Sequence, residues 1–333
     1  MTSEAPPLLS RVADSVYWMA RYIERAENVA RFIGVNLNLQ LDLPLEPAYQ
    51  WQPLIDTSGD AAQFLKHYGE ATEDNVIQFL AFDDRNPNSI YSCFRSAREN
   101  ARSVRETISS EMWEQANGMY LQLQALRAAR QHESLPEILR SIRLASHMFK
   151  GITDGTMSYN EAWHFLRLGR MMERADKTSR ILDVKYFILL PTATGVGSPY
   201  DDIHWAAVLK SVSGFEMYRK RYGRISPLNI VDFLLMNREF PRAIRHCVHS
   251  AQESLQAVTG RPASSSEYES QKRIKVLGAE LQSGSVPRII QSGLHEYLDG
   301  LQTKMNAVGE SLLQDFFILG PVERTVDAGG AQH

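Results

Sequence analysis

The sequence has little of what most catalytic and binding sites are built from. Only two of its 333 residues are cysteines, Cys93 and Cys247, too few for a disulfide framework or a four-thiolate zinc site. It contains no glycine-rich phosphate loop, no Gly-x-Ser-x-Gly motif and no cysteine–histidine nucleophile pattern. The commonest nucleotide, thiol and serine-hydrolase sites are therefore excluded, and we expect neither a metal nor a cofactor.

An excess of charge of one sign is also missing. The chain has 36 basic and 39 acidic residues, and its formal net charge is −3, whereas general nucleic-acid binding relies on a basic face. No apolar run approaches the roughly 20 residues that span a bilayer. The first residues, 1–7, have neither the basic start nor the apolar run of a signal peptide. We expect a cytoplasmic protein without a nucleic-acid or membrane partner.

Glycine and proline are sparse, and they separate segments with helical periodicity. We predict an all-α fold, a bundle of about ten helices, because no alternating run bounded by turn residues indicates a strand. One helical domain is expected over residues 1–324, with a loop at 191–200 and a flexible tail at 325–333. The predicted helices cover residues 11–43, 88–105, 112–131, 136–152, 159–189, 202–222, 227–237, 240–258, 266–282 and 287–318.

An internal repeat is the most informative feature. Residues 21–31 and 170–180 both read Arg-x-x-Glu-Arg-Ala-acid-x-x-x-Arg, at an offset of 149, and the match continues downstream in the same order at an offset of 154. We predict two duplicated helical units, at about 8–150 and 158–318, related by a pseudo-twofold axis. The downstream pairs include Trp51 with Trp205, Asn75 with Asn229, Pro87 with Pro241, and Cys93 with Cys247.

The repeated motif places charged side chains on one face of each helix, framed by aromatic residues in the first copy. Such charges need partners, because an unpaired buried ion is costly. One interpretation is a reciprocal ion-pair network between the two related helices. The other is an anion-binding or catalytic cleft in which arginines hold a carboxylate or phosphate. The residues are Arg21, Glu24, Arg25 and Asn28 in the first copy, and Arg170, Glu173, Arg174 and Lys177 in the second.

A second charged face lies on the predicted helix 88–105. Its arginines share one side, and two of them, Arg98 and Arg102, repel each other at a spacing of four. We therefore expect a negative group nearby, either Glu24, Glu173 or a ligand. A solvated charged face is the alternative. The candidate anion-binding residues on this helix are Arg98, Glu99, Asn100 and Arg102.

These motifs together resemble the alpha-E family, a bacterial all-helical family named for its Glu-Arg motif. The resemblance extends over most of the chain, from about residue 8 to 250. Family members typically accompany circularly permuted ATP-grasp ligases or are fused to them, and transglutaminase-like proteins are further neighbours. The resemblance implies a role in making or handling amide-linked or peptide-linked products. The matching stretches are 10–13, 17–18, 21–28, 86–90, 97–102, 111–113, 168–176 and 240–242.

Three functions stay open at this point. The resemblance favours a non-catalytic partner of an ATP-grasp amide ligase that helps to bind the substrate or the ligase through a buried Glu/Arg cluster. A second possibility is a stand-alone enzyme or binder of a small anion. In that case Glu24 or Glu173 acts as the general acid or base, and Arg98 and Arg102 hold the anion. The third is a purely structural helical scaffold.

Overall fold

The computed structural model describes residues 8–42, 47–129, 134–189, 199–260 and 267–318. These residues form fifteen α-helices and two π-helical turns, without a strand among them. The predicted all-α class is therefore confirmed. Most of the predicted loop at 191–200, and all of the predicted tail at 325–333, lie outside the described residues.

The helices follow one another with short connections. The α-helices are α1 Ser10–Asp42, α2 Pro47–Ser58, α3 Ala61–Tyr68, α4 Glu73–Ile77, α5 Ile90–Ser103, α6 Ser110–Ala129, α7 Leu135–Thr156, α8 Glu161–Leu189, α9 Pro199–Ser211, α10 Phe215–Tyr222, α11 Pro227–Met236, α12 Ile244–Thr259, α13 Glu269–Ser283, α14 Val286–Ser292 and α15 Leu294–Leu312. The π-helical turns are Gln78–Phe82, after α4, and Leu313–Phe317, after α15.

The structure has more helices than the ten predicted, because two predicted helices are each divided by a turn and three short helices are added. Gly293 adopts a φ of 108°, which favours glycine, and it separates α14 from α15. Ser213, with a φ of 50°, lies in the turn between α9 and α10. The short helices α2 to α4 were not predicted, and α2 contains an internal proline, Pro53. In the part of the chain described, no helix is both long and apolar enough to cross a bilayer.

The two helices that carry the Glu-Arg motif, α1 and α8, pack against each other. On α1 lie α5 and α7, and on α8 lie α12 and α15. The second helix of each half crosses to the other half, since α2 packs on α8 and α9 packs on α1. Each of these contacts has a counterpart in the other half. That correspondence is what the predicted duplication requires, while the duplication itself stays a prediction.

The close crossing of α1 and α8 depends on one glycine. A Cβ atom at Gly169 would lie 2.3 Å from the backbone carbonyl oxygen of Tyr17 on α1. Because the obstacle is backbone rather than a flexible side chain, it cannot move without shifting the helix. By contrast, a Cβ atom at Gly118, inside α6, would meet nothing within 4 Å.

We therefore predict opposite effects for two Gly→Ala substitutions. Gly169→Ala should lower the free energy of unfolding by about 1–3 kcal/mol, the usual cost of overpacking. Gly118→Ala should raise it by roughly 0.5–1 kcal/mol, because alanine has the higher helix propensity. Urea unfolding followed by circular dichroism measures both. Equal effects of the two substitutions would contradict the close approach of α1 and α8.

Candidate functional site

The two motif glutamates are buried, and each is bound by arginine from the opposite helix. Glu24 on α1 is 2% exposed and Glu173 on α8 is 0% exposed. Arg174 donates to Glu24 through Nε at 2.8 Å and Nη2 at 2.7 Å. Arg25 donates to Glu173 through Nε at 2.6 Å and Nη2 at 2.9 Å, and Arg21 Nε donates at 2.9 Å. The two motif helices thus exchange ion pairs reciprocally, as the first of the two interpretations requires.

Burial and the arginines act in opposite directions on these carboxylates. Burial by itself raises the pKa of Glu24, but Arg174 and Arg242 outweigh it and hold that pKa below its usual range. For Glu173 the same opposition holds, with Arg25 and Arg21 as the cations that lower its pKa. Both glutamates are therefore ionised at neutral pH.

Arg242 is a site residue that sequence reasoning missed. It lies just before α12, is 6% exposed, and donates through Nη1 to Glu24 Oε1 at 3.0 Å and to Asn28 Oδ1 at 2.9 Å. Its Nη2 donates to Glu27 Oε1 at 2.5 Å. The repeat places Asn88 opposite Arg242, so the difference at this matched position was the available signal.

The network continues from Glu27 onto α7. Glu27 is 1% exposed and accepts hydrogen bonds from Arg31 Nε at 2.8 Å and from Ser146 Oγ at 2.8 Å. Arg31 Nη2 lies 3.1 Å from His147 Nε2. In the second copy the matching acid, Asp176, pairs with Arg180 at 3.0 Å. The buried charges of α1 are thus contacted by polar side chains of α7 as well as by the arginines of α8 and by Arg242.

The arginines of α5 do not join this network. Arg98 donates through Nε to Asn117 at 2.7 Å and pairs with Glu99 at 2.6 Å, and Arg102 pairs with the other oxygen of Glu99 at 2.6 Å. The expectation that Glu24 or Glu173 lies beside them is therefore wrong, because the carboxylate that contacts both arginines is Glu99. The cause is the rotation of α5 about its own axis. Ala97 and Ala101 face the core, so the residues that follow them, Arg98 and Arg102, face away from it.

The remaining candidate site residues make different kinds of contact. Asn100 accepts a hydrogen bond from the Ser103 hydroxyl through its backbone carbonyl, at 2.8 Å. Asn28 donates to the backbone oxygen of Glu24 at 2.7 Å and to its carboxylate Oε1 at 3.2 Å. Arg170 lines a cleft between α1, α7 and α8, and its ion-pair distance to Asp154 is 3.9 Å. Of the predicted arginines on α1 and α8, Arg170 makes the weakest contact.

The structure offers little other chemistry near these charges. Cys93 and Cys247 are buried, and burial raises the pKa of each thiol to about 12, so neither forms a reactive thiolate at neutral pH. Within the described ranges, no group of three or more histidine, cysteine, aspartate or glutamate side chains is placed to hold a metal ion. The site is thus a set of fixed ion pairs.

Removing one carboxylate at a time should show that the buried ion pairs contribute more to the free energy of unfolding than the surface pairs do. Glu173→Gln leaves Arg21 and Arg25 without their buried counter-ion, so we expect the free energy of unfolding to fall by about 3–5 kcal/mol. Glu99→Gln removes the carboxylate that is 42% exposed between Arg98 and Arg102, and it should cost less than about 1 kcal/mol. Chemical denaturation of both variants measures the difference. Similar costs would show that burial of Glu173 is not decisive.

A low pH should lower the stability of the fold, because it protonates Glu24 and Glu173. The ordinary pKa of glutamate is 4.5, and the pKa values of Glu24 and Glu173 in the folded chain are lower. Between the two values the unfolded chain binds more protons, so the free energy of unfolding must fall as the pH decreases below about 4.5. Urea unfolding between pH 7 and pH 3 tests this. Glu24→Gln should flatten the dependence, and an unchanged slope would contradict the assignment.

Comparison with known proteins gives distant relatives. The chain is 22% identical over 288 residues to an uncharacterized protein of Mycobacterium bovis and to one of Mycobacterium tuberculosis. These matches cover 77% of this chain and 30% of each relative, so the chain spans about a third of the length of the curated relatives it matches. No solved structure matches it.

One family pattern, in contrast, matches nearly the whole of the described chain. Its description is a predicted alpha-helical domain with a conserved ER motif, and it covers residues 8–317. Both copies of the Glu-Arg sequence, and the helices packed around them, fall inside that match. The chain therefore belongs to the Alpha-E family.

Proposed function

We propose that the protein is a non-catalytic helical partner of an ATP-grasp-type amide ligase. The observation that carries this proposal is the state of Glu24 and Glu173, which are buried, ionised and bound by arginines. A general acid or base needs a pKa near the working pH and access to the proton it transfers. Neither glutamate meets these conditions. The motif is better suited to holding α1 and α8 in one arrangement than to proton transfer.

The lengths of the relatives support a partner role. The matched segment makes up 30% of each mycobacterial relative, so the corresponding unit there is one part of a longer protein. The family resemblance implies members that accompany circularly permuted ATP-grasp ligases or are fused to them. A rigid helical unit that binds a ligase, or is joined to one, agrees with both observations. A transglutaminase-like protein is the second partner that we expect.

The ligase needs a surface to bind. Large apolar side chains are exposed on two neighbouring helices: Leu121 on α6, and Leu144 and Met148 on α7, at 48%, 51% and 56%. Leu144 and Met148 are one helical turn apart. They flank His147, which lines the cleft between α1, α7 and α8. A ligase bound to α7 would therefore lie at the mouth of that cleft.

Co-purification with a circularly permuted ATP-grasp ligase from the same organism tests the proposal. We expect a stable complex by size-exclusion chromatography with light scattering, together with a changed rate of ATP turnover. Replacing Leu144 and Met148 by glutamate should weaken the complex at least about tenfold, as loss of central interface contacts does. Val276→Glu on α13, at a site that is 65% exposed, is the matched control and should leave binding unchanged.

The outcomes separate the alternatives. Absence of both a complex and an effect on ATP turnover would contradict the proposal. A complex that leaves turnover unchanged would favour the purely structural scaffold instead. Loss of binding in the Val276→Glu variant, with retention in the α7 variant, would move the contact surface to α13.

A further inference from the structure

The two Glu-Arg clusters differ at one position. Glu173 is bound by two arginines of α1, Arg21 and Arg25. By the repeat, the counterpart of Arg21 on α8 is Arg170, and reciprocity would place it on Glu24. The structure instead gives Arg170 an ion-pair contact of 3.9 Å with Asp154.

Arg242 occupies the place that reciprocity assigns to Arg170. It donates to Glu24 at 3.0 Å, beside the two hydrogen bonds from Arg174. The matched residue in the first copy is Asn88, whose amide has no charge to offer a carboxylate. A single difference between the copies thus supplies Glu24 with a guanidinium from outside α8. As a result Arg170 is not needed for the ion pair.

Arg170 is left with donors that the surrounding protein does not use. Its side chain is 13% exposed, and its contact with Asp154 is longer than a hydrogen bond. Its Nε has no hydrogen-bond partner among the described residues. Burial and the neighbouring Arg174 lower the pKa of Arg170 to about 10. Because a guanidinium carries five N–H donors, such a group is well suited to binding an oxyanion.

A second cation lies in the same cleft between α1, α7 and α8. Lys150 lines it with Arg170, and within the described ranges it makes neither a hydrogen bond nor an ion pair. Burial, followed by the charges of Arg170 and Arg174, lowers the pKa of Lys150. In both residues burial is the largest cause of the lowered pKa, and the neighbouring cations add to it. Around the cleft, five cations, Arg31, Lys150, Arg170, Arg174 and Arg242, face three carboxylates, Glu24, Glu27 and Asp154.

The glutamates that line the cleft do not cancel this excess. Glu24 is bound by Arg174 and Arg242, and Glu27 is bound by Arg31, Arg242 and Ser146. The cavity volume is about 20 Å³, which is room for one or two groups of the size of water. Such a space admits the oxygen atoms at the end of a ligand, while the rest of the ligand would lie outside.

We propose that this cleft is a binding site for a small oxyanion, the carboxylate or phosphate end of a ligand, held by Arg170 and Lys150. The assignment is independent of the ligase, because the groups that form the site all belong to this chain. It also differs from the anion site expected on α5, where Arg98 and Arg102 pair with Glu99.

Titration of the isolated protein with inorganic phosphate and with acetate, at low ionic strength, tests this site. Isothermal titration calorimetry should show binding of at least one probe, and tetramethylammonium chloride should not bind. In Arg170→Gln and in Lys150→Gln we expect binding at least about tenfold weaker, the usual effect of losing a hydrogen bond to a charged group. The two probes distinguish a phosphate site from a carboxylate site.

The control variants are Arg245→Gln and Lys275→Gln, which alter another cationic cleft, between α12 and α13. They should bind as the wild type does. No binding of either probe by the wild type would overturn the proposal, and so would unchanged binding in both cleft variants. Loss of binding only in the α12–α13 variants would place the anion site there instead. If Arg170→Gln does not fold, the result for Lys150→Gln alone tests the proposal, because Lys150 is partly exposed.

Discussion

The fold depends on two buried carboxylate–guanidinium pairs between α1 and α8, Glu24 with Arg174 and Glu173 with Arg25. Taking such charges out of water costs several kcal/mol for each ion, and the attraction between them offsets this cost only when the geometry is good. The two helices must therefore meet with one rotation and one register, since a slide by one turn would separate both pairs. The other helices pack around a crossing that these pairs define.

The same pairs constrain what the centre of the protein can do chemically. Carboxylates that each bind two arginines have lowered pKa values, so proton transfer is a poor use for them. The anion site that we propose lies where the reciprocal pattern fails. Arg242 creates such a position, because its guanidinium replaces that of Arg170 at Glu24. A matched pair of helical units can in this way carry one asymmetric site.

Much of the fold could be predicted because helical periodicity is a local property of the sequence. The pattern around α1, α5 and α8 showed both the helices and the faces on which their charges lie. The helices α3 and α4 were not predicted because, with eight and five residues, they are too short to show a period. The pattern of α2 is interrupted by its internal proline, Pro53. The repeat favoured a reciprocal pairing of the two charged faces, since equivalent faces in two related helices can neutralise each other, but it left an anion-binding cleft open as the alternative.

The sequence by itself determined the helical class, the repeated Glu-Arg motif and the set of charged residues that need partners. Only the tertiary structure decided which acid meets which arginine. Arg98 and Arg102 share Glu99 because the buried alanines of α5 turn them away from α1. Arg242 reaches Glu24 across 218 positions of the chain. Contacts of this kind depend on how helices rotate and cross, and no local pattern of residues contains that information.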